Sequence, residues 1–271
     1  MSPGSERRLR RGGEAPLRAT YLYCVAAGRS APRLVRAPAG LPAMERPRAL
    51  RVAAGLWLVV ADAPLTHWSA ARIESGLRDL DWVSRCAVAH EAVVEHIART
   101  GTAVVPMKMF TLFADDVRAI AHVTRLRRKL EALLRRVAGR QEWGLRVILD
   151  ERRALARAGE AGDGRAASGT AFLLRKKAEK DAAQRLAAQA RVEADRLFDH
   201  LAGRADDARR RRPGADTPGR LLLEAAFLVP VARARAFRAE VTRQGRALEP
   251  GGYDLNLSGP WPPYSFVTDA P

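Results

Sequence analysis

The chain has 271 residues, 47% of them hydrophobic, and carries 47 Lys and Arg against 30 Asp and Glu for a formal net charge of +17, enough apolar material for two ordinary cores. Its apolar runs, Leu56 to Ala61 among them, are far short of the ~20 residues of a membrane span, and no leader-like apolar stretch directly follows Arg7, Arg8, Arg10 and Arg11, so a cytosolic chain with neither membrane span nor secretory leader is expected. The excess charge is Arg scattered among Ala, Gly and Pro, a general compositional bias before it is a phosphate-binding surface, and Cys24 and Cys86 lack metal-ligand spacing and read as buried free thiols.

In chain order, residues 1–18 form a basic tail without apolar periodicity, expected to be disordered. Thr20 to Ala26, rich in aromatic and β-branched residues, reads as a first strand, closed by the Gly- and Pro-rich stretch from Gly28 to Pro47. Arg51 to Ala61 contains Gly55 and predicts either one bent strand or a tight hairpin. Helical spacing follows in His67 to Leu80 and again in Trp82 to Arg99, which Gly101 stops. Ala103 to Pro106 is a short buried strand. Val117, Ile120, Val123, Leu130 and Val137 then predict one helix from Asp115 to Ala138, with Asp115 and Asp116 at its positive end. These elements divide the chain into an N-terminal α/β domain over 19–113, a bridging helix over 114–140 and a second domain over 141–271.

The second domain opens with a strand from Trp143 to Leu149, followed by an exposed loop from Gly159 to Gly169. Ala171, Leu174, Ala178, Ala182, Leu186 and their successors to Leu201 step by three or four, predicting a long helix over 170–202 with one apolar stripe. At ~1.5 Å per residue it spans about 48 Å, more than a small domain covers, so part of the stripe is expected on the other domain or on a partner. Arg209 to Gly219 reads as a solvated loop, Leu221 to Val229 as a strand, Arg233 to Leu248 as a helix and Tyr253 to Leu257 as an alternating strand. The expected fold class is α+β. The second domain is ferredoxin-like, with helices on a mixed or antiparallel sheet, and the first is open to a variant of that plan.

Catalytic signals are weak. His90 and His96 differ by six residues, whereas a zinc-protease helix needs two His one turn apart, so no metal is expected. Neither a GxxxxGK[ST] loop nor a GxGxxG turn is present to cradle phosphate, so no cofactor or small-molecule ligand is expected. The pairs Asp115–Asp116 and Asp206–Asp207 read as capping or solvated carboxylates, and no enzyme is indicated. The basic aromatic motif of an RNA-binding sheet is missing as well, which leaves a basic nucleic-acid-binding ferredoxin-like protein as the alternative reading.

The distinctive segment is Leu255 to Val267, with Pro260, Trp261, Pro262, Pro263, Tyr264 and Phe266. Three prolines favour an extended backbone that sets the aromatic side chains in fixed directions, either as a strap closing the core or as a platform for a partner. This segment resembles the C-terminal signature of the gas vesicle protein F/L family. In the order the family uses, it follows the opening Tyr21 to Val25, Ala89 to Glu95, Val104 to Phe113 with Pro106, Phe110 and Phe113, the Glu142-Trp143-Gly144 triplet and Leu221 to Val241. Where the family usually carries Phe-Gly-Thr, this chain has Met109-Phe110-Thr111, which puts in question any close backbone approach a glycine there allows. The resemblance implies a non-enzymatic, vesicle-associated assembly or nucleation protein. Its partners would be the hydrophobic shell protein, which it keeps from aggregating, and other accessory proteins.

Overall fold

A strand buried on both faces is apolar throughout, whereas one with a wet face alternates. The strand β1 (Arg18–Ala27) is of the first kind, buried from Ala19 to Ala26, in a computed structural model that describes residues 17–157, 169–211 and 220–267. It is followed by β2 (Arg48–Ala53) and β3 (Leu56–Pro64), the hairpin form of the run expected as bent strand or hairpin. Gly55 turns that hairpin at φ +77°, which a Cβ disfavours. Then come α1 (Leu65–Trp68), α2 (Ala70–Gly76), α3 (Leu80–Arg99), β4 (Val104–Pro106) and β5 (Leu112–Phe113). The antiparallel sheet runs β2-β3-β1-β4, with β5 also beside β1.

Three helical expectations are corrected here. The helix expected from His67 to Leu80 breaks at Ser69, whose extended backbone lets its hydroxyl accept from Arg72 N–H at 3.4 Å. α3 also starts earlier than expected, because Asp79 caps it through the N–H groups of Asp81 and Trp82 at 2.9 and 3.1 Å. The single helix expected from Asp115 to Ala138 is two, α4 (Asp116–Arg125) and α5 (Arg127–Val137). Leu126 N–H turns back to the Val123 carbonyl at 3.1 Å and tightens the turn between them. Both pack on the first sheet through Ala119, Val123, Leu130 and Leu134, and Arg136 of α5 also pairs with Asp207 beyond it.

A bulge gives β1 its two faces. Its register with β3 passes from Leu22–Val60 to Cys24–Val59, so Tyr23 and Cys24 both turn toward the α3 side while Leu22 and Val25 face α4 and α5. Cys24 and Cys86 are buried free thiols, as expected.

The second lobe comprises β6 (Arg140–Leu149), α6 (Glu151–Arg157), α7 (Gly169–Ala202), β7 (Asp207–Arg210), β8 (Arg220–Pro230), α8 (Ala234–Leu248) and β9 (Tyr253–Trp261). Its sheet runs β7-β8-β6-β9, every pair antiparallel, the ferredoxin-like order. The first sheet keeps the same order of second, third, first and fourth strands, with the loop of residues 28–47 where a crossover helix would sit. β7 corrects part of the loop expected from Arg209 to Gly219; Asp-Ala-Arg-Arg carries no apolar signal, yet it pairs as an edge strand. Residues 212–219 of that loop, most of the Gly159 to Gly169 loop and residues 1–16 of the basic tail lie outside the described residues. α7 buries Ala182, Ala190, Ala194, Leu197 and Leu201 against its own sheet and α6, while Ala178 is exposed and the side chains of Ala171 and Leu174 lie outside the described residues. Among the described residues no helix is long and apolar enough to cross a membrane.

Candidate functional site

The C-terminal segment, expected as an extended stretch serving as strap or as platform, divides in two. Ser258 to Trp261 continue β9, pairing with β6 across a bulge between Glu142 and Gly144. Gly259 sits there at φ +125°, where a Cβ would lie 2.9 Å from the Glu142 carbonyl, so only glycine fits this approach. Beyond it, Pro262 and Pro263 are buried and turn the chain into a 3₁₀ turn, Tyr264–Phe266, driven between the lobes. Tyr264 packs on the first lobe's cluster of Tyr21, Cys24 and Val94, Phe266 on Ala226 and Leu228 of β8, and Val267 in the cluster of α4 and α5.

One buried carboxylate holds this wedge. Glu142 Oε2 accepts from Ser265 N–H at 2.7 Å, and Oε1 accepts from Ser265 Oγ at 2.7 Å and from Arg211 Nη2 at 2.6 Å. Arg209 Nη1 donates to the Ser265 carbonyl at 2.7 Å, and its guanidinium lies 5.5 Å from the Phe266 ring centre. Burial pushes the Glu142 carboxyl above its ordinary range, and the Ser265 and Arg211 donors oppose that rise. Hydrogen bonds to a charged group contribute about 1.5–3 kcal/mol each, so the clasp offsets much of the desolvation of Glu142. Across the seam the Tyr264 hydroxyl faces the Glu91 carboxyl of α3. Both are shut off from solvent, Tyr264 Oη and Glu91 Oε1 lack a well-formed hydrogen bond, and burial raises both groups.

Next to the wedge a cleft of about 270 Å³ opens between the lobes, lined by Ala98 and Val137 from the first lobe and by Val231 and Pro260 to Pro263 from the second. Trp261 and Val231 stand at its rim with 41% and 53% of their surface exposed. The indole N–H of Trp261 is satisfied by Ser258 Oγ at 3.2 Å, which leaves its ring as apolar surface. The rim charges are paired, Arg99 with Glu95 and Arg140 with Asp206, each at 2.6 Å. The arrangement suits an apolar segment with few charges.

The remaining sequence candidates are dispersed. Pro106 is buried in β4 opposite Cys24, and Phe113 lies half-buried with its ring 5.1 Å from His122. Phe110 adopts φ +66° and stacks on Trp82 at 5.3 Å. Trp143 is buried on the helical face of the second sheet, under the Arg238 guanidinium at 5.5 Å. The two histidines point apart: His90 Nδ1 meets Tyr21 Oη at 2.7 Å in the core, where burial lowers its pKa to about 4, and His96 Nε2 meets the Arg33 carbonyl at 3.2 Å. Among the described residues no group of three His, Cys, Asp or Glu is placed to hold a metal. Asp115 caps α4 through Arg118 N–H at 2.7 Å, and Asp206 and Asp207 are ion-paired to Arg140 and Arg136. Sequence reasoning missed Glu142, Glu91, Arg209 and Arg211. Glu142 entered the sequence reading only within the Glu142-Trp143-Gly144 triplet, without a role of its own.

A family model described as gas vesicle synthesis protein GvpL/GvpF matches residues 19–268. The chain is 32% identical to gas vesicle protein L of Streptomyces sp. (strain CB03234) over 235 residues, 82% of this chain and 84% of that protein. It is 28% identical to gas vesicle protein L2 of Halobacterium salinarum over 213 residues, 70% and 74% of the two chains. Two crystal structures share the fold. They are GvpF from Anabaena sp. PCC7120, with a TM-score of 0.68 at 17% identity over 92% of this chain and 96% of that one, and GvpF from Microcystis aeruginosa, with 0.64 at 14% over 92% and 98%.

Proposed function

This chain belongs to the gas vesicle synthesis protein GvpL/GvpF family, and from that premise we propose that it is a non-enzymatic assembly factor, active in the cytoplasm at vesicle nucleation, that holds an apolar segment of the shell protein in the interlobe cleft. The observation that carries the reading is the exposed Trp261 ring at the rim of a cleft whose charges are already paired. Large exposed apolar groups around a concavity mark contact sites, and an occupied cleft would keep the shell subunit from associating with its own kind. Other accessory proteins join the same assembly in this reading.

The test is Trp261→Ala. Because the ring projects from the rim, the variant keeps its circular dichroism spectrum, and its capture of purified shell protein is expected to fall at least tenfold. Complementation of a deletion strain then yields fewer vesicles at unchanged shell-protein level. Full capture by the folded variant would reduce the segment to an interlobe strut.

A further inference from the structure

The surface of α4 and α5 departs from the mixed-sign face of an ordinary surface helix. Arg118, Arg125, Arg128, Lys129 and Arg135 are exposed and carry no ion pair among the described residues. Between Val117 and Val137 the one carboxylate is Glu131, which Arg127 already holds at 2.6 Å. By contrast α3 mixes Asp81, Arg85, Glu91, Glu95 and Arg99 along its length. The inward stripe of α5, Leu130, Leu133, Leu134 and Val137, is committed to the first core, so the opposite side is a free cationic face.

Spacing gives that face a direction. Arg118 and Arg125 on α4, and Arg128 and Arg135 on α5, are each seven residues apart, two turns of one helix side, with the small Ala132 exposed between the latter pair. A seven-residue repeat of charge is what a partner helix presents along a helix–helix contact. The cations at the edges of the face already select carboxylates, Arg127 through Glu131 and Arg136 through Asp207 of the second lobe. No Asn or Gln lies in either helix to read base edges, and no aromatic ring is exposed there to stack bases.

We infer that the α4–α5 face docks an acidic helix of a protein partner, with carboxylates at heptad spacing meeting Arg118, Arg125, Arg128 and Arg135. The inference extends the assembly reading by giving the chemistry of a second partner. Its test does not involve the shell protein, so either idea can fail alone.

The experiment measures binding by fluorescence anisotropy, using the full chain and three probes. One is a synthetic Ala-rich helical peptide with Glu at heptad spacing, the second a peptide of the same composition with its Glu scattered around the helix, and the third duplex DNA of matching total charge. The ordered acidic peptide is expected to bind most tightly, at least fivefold better than the scattered one, and to weaken as salt rises. The quadruple variant Arg118→Gln, Arg125→Gln, Arg128→Gln, Arg135→Gln should lose at least tenfold. The corresponding Glu variant should gain affinity for a Lys version of the peptide. All four side chains are exposed, so the fold is retained; a circular dichroism spectrum checks this, and the single Arg128→Glu charge swap is read if the quadruple variants fail. Tighter binding to DNA than to the ordered peptide overturns the inference in favour of a nucleic-acid face. Equal affinity for the two peptides, or binding indifferent to the substitutions, overturns it outright.

Discussion

The two sheets run their strands in one order and are closed in different ways. In the first, α3 and the loop of residues 28–47, with Leu41 buried, cover one face and α4 and α5 cover the other. In the second, α7 and α8 cover one face, and among the described residues the other receives the Pro262 to Val267 wedge at Ala226 and Leu228, leaving Arg146, Asn256 and Ser258 exposed. The strands themselves record this. β1 is buried without interruption, whereas β9 alternates half-buried Tyr253, Leu255 and Leu257 with exposed Asp254, Asn256 and Ser258. How far a sheet is covered is thus written in its own strands, but the identity of the covering element is not.

The wedge is the sharpest place to test this contrast, because one short segment serves both lobes. Removing the Phe266 ring from its site on β8 is expected to destabilise the chain by about 4 kcal/mol, the range for a buried aromatic truncated to alanine. Since Tyr264 and Val267 enter the first lobe from the same segment, Phe266→Ala should also split one urea transition into two, read by tryptophan fluorescence and far-ultraviolet circular dichroism. A single transition with a loss under about 1 kcal/mol would show that the wedge does not join the lobes.

Acid should act on two buried groups, His90 and Glu142, with opposite signs. His90 is buried in the first lobe with a folded pKa of about 4, below its unfolded value of roughly 6.5, so the unfolded chain binds the extra proton between these values. Its contribution is full above pH ~6.5 and falls by about 3 kcal/mol as the pH drops to ~4. Glu142, raised by burial, works the other way: its contribution is full below its unfolded pKa and is lost as pH rises through the higher folded one. His90→Gln should therefore flatten the acid limb of the stability profile, measured by urea midpoints from pH 7 to 4. An unchanged acid limb would sink the assignment.

Core deletions on the two sheets should differ as their covers do. Leu22→Ala, in a strand covered on both sides, should cost about 3 kcal/mol, and Ile148→Ala, on the half-open face of β6, about 1 kcal/mol. Equal losses would mean that the open face is covered in solution. Chemical denaturation of the two variants side by side decides between them.

Much of this architecture was legible before any coordinates, because β1 and β8 are near-continuous apolar runs and α3, α7 and α8 repeat apolar residues with a period near 3.6. β7 was hidden because Asp-Ala-Arg-Arg pairs through its backbone alone, and the break at Leu126 because apolar spacing runs straight through it. The site was less legible. Glu142 and Ser265 are 123 residues apart, and nothing local to either announces the other. The prolines fixed the stiffness of residues 260–263, but the division into an exposed Trp261 and a buried Phe266 depends on which lobe the chain meets next.

The finest test concerns the closure of the first sheet on its α3 side, at Phe110. Phe110 stands at φ +66°, a conformation costing a residue with a Cβ about 1 kcal/mol relative to Gly. Its N–H donates to Tyr21 Oη at 3.3 Å, and its ring stacks on Trp82 at 5.3 Å with an interplanar angle of 10° and lies 6.4 Å from Trp68. Such stacking is worth about 0.5–1.5 kcal/mol beyond burial, enough to offset the strain. Phe110→Ala keeps the strain and loses the stack, so it should destabilise by about 2 kcal/mol. Phe110→Gly loses both and should stay within about 1 kcal/mol of the parent. Glycine would then be more stable than alanine, the reverse of their usual ranking, and alanine equal to or above glycine in thermal denaturation would mean that the left-handed backbone at 110 does not persist in solution.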